Sequence, residues 1–143
     1  MAENRRARFD YEILETYEAG LELSGPEVKS TKNGRLDLSG SYALIRNGQA
    51  WLINSKIPPY QPKNMPDDYA PDRQRRLLLH KTEIASLLGK TQKTSLTLLP
   101  LRAYLKRGFI KIELGLGKSR KKHDKREIIK KRDTEREMRR VGN

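Results

Sequence analysis

The chain has 143 residues, enough for one domain with tails, and carries a formal net charge of +13 with a pI of about 10.1. This excess favours a polyanionic partner, because each lysine or arginine that meets a phosphate releases condensed counterions. The chain has no cysteine, which excludes disulfides, zinc–thiolate sites and thiol nucleophiles. The sequence has no apolar run near the roughly 18 residues of a membrane helix, and its polar N-terminus lacks a signal-peptide core. We therefore expect a cytoplasmic protein that does not enter a membrane.

The first predicted elements are a strand and a short helix. Residues 11–23 favour a strand that bends near Gly20. The next segment, Ser24-Gly-Pro-Glu27, has the pattern of a capping box with a proline near the first helical position. Asn33-Gly34 marks the end of this predicted helix.

A hairpin, a long loop and a second helix follow. Residues 41–54 predict a β-hairpin, because Asn47-Gly48 stands between two apolar runs and favours a tight turn. Residues 58–76 contain five of the seven prolines and predict a long loop. Residues 81–88 predict a helix with apolar residues on one side, and Gly89 marks its end.

The last predicted elements form another hairpin. Residues 109–117 alternate between apolar and charged positions, which is the pattern of a half-buried strand. Residues 96–104 form the preceding strand, and Lys106-Arg107-Gly108 is the turn between the two. Pro100 inside the first of these strands implies a sheet edge or a bulge.

These elements predict a mainly β protein with two or three short helices. The fold we expect is an oligonucleotide-binding-like antiparallel β-barrel, partly open, formed by residues 1–116, where almost all apolar residues lie. Residues 117–143 carry 12 Lys or Arg and 5 Asp or Glu, a net charge of +7, with too few apolar residues for a core. We expect this basic tail to be disordered when free, with residues 124–140 able to form a helix on a surface that neutralises their charge.

Three clusters of basic residues indicate a nucleic-acid partner: Arg5-Arg6-x-Arg8, Arg73-x-Arg75-Arg76 and residues 118–126. Arginine and aromatic planes stack on unpaired bases, while lysine and arginine follow phosphates. Any one cluster alone is usually just a solvated surface, so the indication comes from all three together with the net charge, and charge does not separate RNA from DNA. The chain has only two histidines and neither a Gly-rich phosphate loop nor a metalloprotease motif. We therefore predict no enzyme, no metal and no cofactor.

Seven short motifs occur in an order and spacing specific to one family. They are Asn4-Arg5-Arg6-Ala7-Arg8, Asp10-Tyr11, Glu18-Ala19-Gly20, Glu27-Val28-Lys29-Ser30, Leu77-Leu78-Leu79-His80, Gly115-Leu116-Gly117-Lys118 and His123-Asp124-Lys125-Arg126. Together they resemble the small protein B (SmpB) family, the bacterial tmRNA-binding proteins of trans-translation. The resemblance covers nearly the whole chain.

The resemblance implies a fold and a task. The barrel is expected to bind the tRNA-like domain of tmRNA and to bring alanyl-tmRNA into the A site of stalled ribosomes, so that incomplete proteins are tagged for degradation. The tail is expected to become helical in the empty mRNA channel and to contact the decoding centre of the small subunit. Elongation factor Tu is implied as a partner through alanyl-tmRNA, and we expect a monomer.

The resemblance also assigns site residues. Positions matching the tmRNA-binding residues of the family are Asn4, Tyr11, Glu18, Leu78 and Lys111, to which we add the basic residues of the same motifs, Arg5, Arg6, Arg8 and Lys29. Lys111 can neutralise phosphate, Glu18 can accept from a base edge or orient a basic neighbour, and Leu78 either supports the RNA-facing surface or lies in the core. The ribosome-binding stretch of the tail matches Lys118, Arg120, Lys121, Lys122, His123, Asp124, Lys125 and Arg126.

Four positions depart from the usual residues of the family: Phe9, Pro26, Ser95 and Ser119. Two other functions stay open at this point. One is a ribosomal or ribosome-assembly protein with a basic tail, which would associate constitutively with ribosomes. The other is a small RNA hydrolase, which would cleave RNA and needs a catalytic constellation that the sequence does not offer.

Overall fold

The computed structural model describes residues 1–61, 63, 65–93, 95–121, 126 and 129–133. Its elements in chain order are β1 (Ala2–Glu3), α1 (Arg5–Asp10), β2 (Tyr11–Leu21), α2 (Gly25–Lys32), β3 (Tyr42–Arg46), β4 (Gln49–Ile53), β5 (Arg75–Leu78), α3 (Lys81–Lys93), β6 (Leu96–Lys106) and β7 (Phe109–Ser119). Among the helices of the described residues, none has the length and apolar composition needed to cross a membrane.

Six of the strands close into an antiparallel barrel. The order around the ring is β2, β7, β6, β3, β4 and β5, and the pairing of β5 with β2 closes it. β1 pairs with β6 further along that strand than β3 does. The predicted mainly β barrel with short helices is confirmed. The ring is closed rather than partly open, which satisfies the backbone groups that an open sheet edge would expose.

Two tight turns connect the hairpins of the barrel. Asn47 and Gly48 have φ values of 52° and 74° between β3 and β4, and Arg107 and Gly108 have φ values of 51° and 82° between β6 and β7. Two consecutive residues with positive φ form a type I′ turn, whose twist matches that of the flanking strands. Both predicted hairpins are therefore confirmed.

The barrel interior is filled by alternate residues of the strands. On β7, Ile110, Ile112, Leu114 and Leu116 face inward and are at most 5% exposed. Burying each such side chain contributes about 1.5–3 kcal/mol. The inward and outward faces predicted for this strand are confirmed.

A second, smaller apolar cluster lies outside the barrel beneath α1. Ala7 of α1 packs there with Leu101 of β6. The cluster covers two glycines of β7: a Cβ on Gly115 would lie 2.8 Å from Leu101 Cδ1, and a Cβ on Gly117 would lie 3.0 Å from Tyr11 Cβ. These glycines therefore let side chains pack closely across the outer face of β7.

Several element bounds differ from the prediction. α3 continues to Lys93 with Gly89 inside it, because a glycine in a helix interior costs only about 1 kcal/mol and can be tolerated. β5 occupies the end of the segment predicted as a loop. β7 runs through Ser119, three residues past the predicted end of the barrel at residue 116, and pairs there with the start of β2.

Local irregularities agree with the prediction in part. The capping box of α2 is confirmed, since the Ser24 hydroxyl accepts from the Glu27 N–H and the Glu27 carboxylate accepts from the Ser24 N–H. The register shift that follows Pro100 confirms the predicted bulge. β2 contains a register shift of its own, between Ile13 and Glu15. β1 and α1 were not predicted, because elements of two and six residues are too short to show a periodicity.

Candidate RNA-binding surface

Four neighbouring strands bring predicted RNA-binding residues into one row across the barrel; their order is β5, β2, β7 and β6. Leu78 of β5 pairs with Gly20 of β2, and Gly20 pairs with Lys111 of β7. Lys111 in turn pairs with Tyr104 of β6. Directly paired residues project to the same side of a sheet, so these side chains share the outer face. Leu78 is 47% exposed, and the alternative that placed it in the core is wrong.

Glu18 joins this row from the next outward position of β2. Its carboxylate accepts hydrogen bonds from the Tyr104 hydroxyl and from Lys106 Nζ at 3.2 Å. These bonds hold the pKa of Glu18 below its usual value of 4.5, and nearby Lys111 acts in the same direction. Burial and the bond to Glu18 raise the pKa of Tyr104 to about 12, so the phenol stays a donor at neutral pH. Of the two roles predicted for Glu18, this geometry favours orienting its neighbours.

Glu113 connects α1 to the same surface. Its Oε1 accepts from Arg8 Nη2 at 3.1 Å, and its Oε2 accepts from Arg102 Nε at 2.9 Å. The Arg102 guanidinium lies 4.5 Å from the centroid of the Tyr104 ring. Exposed ion pairs of this kind contribute only about 0–1 kcal/mol each to stability, so their main effect is to fix where the arginines lie.

This surface lies on the outside of the closed ring and is termed the open barrel face. It consists of Glu18, Leu78, Arg102, Tyr104, Lys106, Phe109, Lys111 and Glu113. Phe109 begins β7 opposite Lys106 and is 70% exposed. Exposed aromatic rings beside cations are the combination on which unpaired nucleobases stack while the cations meet phosphates.

The N-terminal arginines lie beside the open barrel face on α1. The side chains of Arg5 and Arg6 are 92% and 77% exposed, with carboxylates of Glu3 and Asp10 at 3.7 Å and 3.5 Å. Arg8 is the arginine of this group that reaches the open barrel face, through Glu113. The motif therefore divides into two exposed cations and one that is held on the barrel.

Asn4 has a structural position that the motif alone did not reveal. It is 3% exposed and caps α1, because its Oδ1 accepts from the Ala7 N–H at 3.3 Å. Its Nδ2 donates to the Pro100 carbonyl at 2.9 Å. Together with Arg6 and half-buried Tyr11 it lines a cleft of about 350 Å³ beside α1. The Asn4 amide is thus engaged within the protein and sets the position of α1.

The second basic cluster is divided between the protein interior and the surface, where Arg76 is exposed. Arg75 is fully buried and donates to Glu27 from Nε at 3.0 Å and from Nη2 at 2.8 Å. Arg73 also donates to Glu27 through Nε at 3.0 Å. Burial would raise the pKa of Glu27, but the bonds from Arg73, the Ser24 N–H and Arg75 outweigh it and lower this pKa to about 2. The burial of Arg75 contradicts both interpretations of this cluster, as a nucleic-acid contact and as a solvated surface, because the sequence could not show a partner 48 residues away.

Lys29 is the predicted RNA-binding residue that lies on α2. Its ammonium group lies 5.9 Å from the centroid of the Tyr60 ring.

The tail leaves the barrel next to α1. Lys118 pairs with Glu12 near the start of β2, and the Arg120 N–H donates to the Asp10 carbonyl, the last residue of α1, at 2.9 Å. Lys121 and Arg126 are exposed. The remaining residues predicted to bind the ribosome lie outside the described residues: Lys122, His123, Asp124 and Lys125.

The four departures from the family pattern fit their surroundings. Pro26 lies in the first turn of α2, where its missing N–H has no helical partner to lose. Phe9 has the Arg132 guanidinium 5.9 Å from its ring centroid. Ser119 is the last residue of β7, and Ser95 is exposed just before β6.

Five residues of the open barrel face are absent from the predicted site: Arg102, Tyr104, Lys106, Phe109 and Glu113. Arg102, Tyr104 and Lys106 alternate along β6, which places them on one face, whereas the predicted basic clusters consist of nearly adjacent charges. The signal was available in the sequence as a basic–aromatic–basic pattern at every second position. Glu113 could not have been assigned, because its two arginine partners lie on different elements.

A closed antiparallel barrel with a basic and aromatic outer face is typical of the class of small barrel proteins that bind nucleic acids. The family model for the SmpB protein matches residues 1–143. The SsrA-binding proteins of Nostoc punctiforme and Thermosynechococcus vestitus are each 52% identical over 141 residues, 99% of this chain and 91% and 93% of theirs. A solved structure described as "tmRNA-SmpB: a journey to the center of the bacterial ribosome" has a TM-score of 0.68 and 50% identity, with 85% of each chain covered. The chain belongs to the SmpB protein family, which confirms the resemblance of the motifs.

Proposed function

We propose that this protein binds the tRNA-like domain of tmRNA and serves as the adaptor that brings alanyl-tmRNA to stalled ribosomes in trans-translation. Membership of the SmpB family supports this, because relatives covering almost the whole chain are SsrA-binding proteins. The structural observation that carries the proposal is the open barrel face, where cations and aromatic rings alternate on neighbouring strands.

The open barrel face can bind RNA without any chemistry of its own. Lys106 and Lys111 supply charge for phosphates, while Tyr104 and Phe109 supply ring surface for unpaired bases. Arg5 and Arg6 extend the positive surface on α1, and Asn4 holds that helix in place rather than contacting RNA. The protein thus acts by shape and charge, and not as an enzyme.

The tail is the proposed ribosome-binding element. It leaves the barrel at Arg120, whose N–H donates to the Asp10 carbonyl at the end of α1. We place the tail in the mRNA channel, with contact to the decoding centre, while elongation factor Tu meets the complex through alanyl-tmRNA. The protein would act in the cytoplasm as a monomer.

Binding specificity tests the proposal. The full chain is titrated with the tRNA-like domain of tmRNA, with ordinary tRNA and duplex RNA as competitors, over a series of salt concentrations. We expect tight binding that prefers the tmRNA domain and survives moderate salt. Equal, steeply salt-dependent binding to every RNA would favour the ribosomal-protein alternative, and cleavage of the RNA would favour the hydrolase.

Truncated chains test whether the open barrel face and the tail have separate functions. A chain ending at residue 121 keeps all of β7 and its bond to α1, so its affinity for tmRNA should stay close to that of the full chain while peptide tagging is lost. A chain ending at residue 116 also loses the end of β7 and should unfold more easily. Comparison of the two truncated chains separates the effect of losing the tail from the effect of weakening the barrel. Loss of most tmRNA affinity in the longer truncated chain would contradict this division.

A further inference from the structure

Two side chains in the open barrel face form a cation–π contact with each other. Arg102 and Tyr104 occupy successive outward positions of β6, and the guanidinium lies 4.5 Å from the ring centroid. A cation at this distance is attracted by the negative face of the ring. The pair therefore presents planar groups that are already ordered.

Each member of the pair is held by a carboxylate. Glu113 accepts from Arg102 Nε at 2.9 Å, and Glu18 accepts from the Tyr104 hydroxyl. Each carboxylate also binds a basic residue, since Glu113 binds Arg8 at 3.1 Å and Glu18 binds Lys106 at 3.2 Å. Fixing both groups in advance removes part of the conformational entropy that binding would otherwise cost.

The two carboxylates are unexpected on a surface that meets a polyanion. Left unpaired, a carboxylate here would repel phosphate and weaken binding. Both are instead bonded to the basic and aromatic groups of the same face, so a positioning role accounts for their presence.

We propose that Arg102 and Tyr104 form a stacking platform for one unpaired base of the bound RNA, and that Glu18 and Glu113 are positioning residues for this platform. The inference rests on the proposed function and adds the mode of recognition to it. An unpaired base offers a π-face of matching size, whereas a base inside a duplex has both faces covered.

Replacement of the ring gives the first test. The full chain and its variants are titrated with the tRNA-like domain of tmRNA. Tyr104→Ala should weaken binding by roughly 5- to 150-fold, the equivalent of about 1–3 kcal/mol per stacked base, with little change in the salt dependence. Tyr104→Phe keeps the ring but loses its bond to Glu18, so its affinity should lie between those of Tyr104→Ala and the unmodified chain. By contrast, Lys111→Ala should lower the slope of log K against log salt by about one.

Neutralising a carboxylate gives a test that depends only on whether the affinity for RNA rises or falls. Glu113→Gln makes the surface more positive, so general attraction to RNA predicts tighter binding. A positioning role predicts weaker binding, because Arg102 and Arg8 lose their charged partner. Glu12→Gln is the matched control: it removes an exposed carboxylate from the start of β2 and should leave binding equal or slightly tighter. Tighter binding by Glu113→Gln would overturn the positioning role.

A second arginine–aromatic pair controls for the loss of one positive charge. Arg46 lies 5.4 Å from the Trp51 ring centroid in the hairpin of β3 and β4, with Gln74 as its hydrogen-bond partner at 2.7 Å. Arg102→Ala should reduce affinity well beyond Arg46→Ala, and equal losses would show a purely electrostatic effect and overturn the platform. Unfolding midpoints of all variants show whether each is folded at the assay temperature.

Failure of the inference and failure of the proposed function give different results. If the unmodified chain shows no preference for the tRNA-like domain, both are overturned. If it shows the preference and Tyr104→Ala binds equally well, the platform alone is overturned, and the function stands.

Discussion

Neutralising Glu27 tests whether the buried ion-pair cluster stabilises the fold. Glu27 is 1% exposed and accepts hydrogen bonds from Arg73, Arg75 and Tyr69. Glu27→Gln preserves the size of the side chain but leaves fully buried Arg75 without a counter-charge. The fall of the Glu27 pKa from 4.5 to about 2 corresponds to about 3 kcal/mol at 1.36 kcal/mol per unit. Breaking one partner of a buried pair costs about 3–5 kcal/mol, which agrees with this figure.

The assay is urea denaturation of the full chain at several pH values. At pH 7 we expect Glu27→Gln to lower the free energy of unfolding by about 3 kcal/mol. The folded-state pKa of Glu27 lies below its unfolded value, so its stabilisation is complete above about pH 4.5 and is lost as the pH falls towards 2. The unmodified protein should therefore lose more stability than the variant between pH 5 and pH 3.

An exposed carboxylate, Glu12, provides the control for the substitution of Glu27. Glu12→Gln removes an exposed carboxylate and should change stability by no more than about 0.5 kcal/mol. A loss below about 1 kcal/mol for Glu27→Gln at pH 7, or identical pH profiles for variant and unmodified protein, would refute the assigned role of the cluster. If Arg75→Met is added to Glu27→Gln, part of the lost stability should return, because no uncompensated charge is left buried.

Three further substitutions probe the packing of α1 and α3, each measured by urea denaturation at pH 7. Gly115→Ala places a Cβ 2.8 Å from Leu101 Cδ1 and should cost about 1–3 kcal/mol; full stability would show that the cluster beneath α1 is loose. Gly89→Ala meets open space inside α3 and should instead stabilise by about 0.5–1 kcal/mol, and a loss would contradict the helical position of this residue. Asn4→Ala removes the cap of α1 and should cost about 1–2 kcal/mol, with Asn4→Ser losing less because it keeps a capping oxygen. Equal losses for the two Asn4 variants would show that capping is not the relevant contact.

Features set by neighbours in the sequence were predictable. The turn at Asn47-Gly48 and the capping box that begins at Ser24 depend on a few adjacent residues, and both are confirmed. The alternation along β7 also follows from local pattern, because a strand turns every second side chain to the same face.

Features that depend on distant residues were not predictable in the same way. Arg75 appeared as part of an exposed basic cluster, but its burial depends on Glu27, which is 48 residues away. Leu78 stands in the middle of three consecutive leucines, yet it is exposed because the flanking Leu77 turns into the barrel. The alternation of Arg102, Tyr104 and Lys106 along β6 was visible in the sequence, but the carboxylates that bind Arg102 and Tyr104 lie on other strands and were not.

A single strand, β7, connects the open barrel face, the proposed tmRNA-binding surface, to the tail, the proposed ribosome-binding element. β7 carries Lys111 in the open barrel face and continues to Ser119, where the tail begins. At about 3.3 Å per residue, the eight steps between these two residues span about 26 Å of hydrogen-bonded strand. A partner that holds Lys111 therefore fixes both the starting point and the initial direction of the tail. β7 would act as a spacer of constant length, so that RNA bound at Lys111 sets the direction in which the tail leaves Ser119.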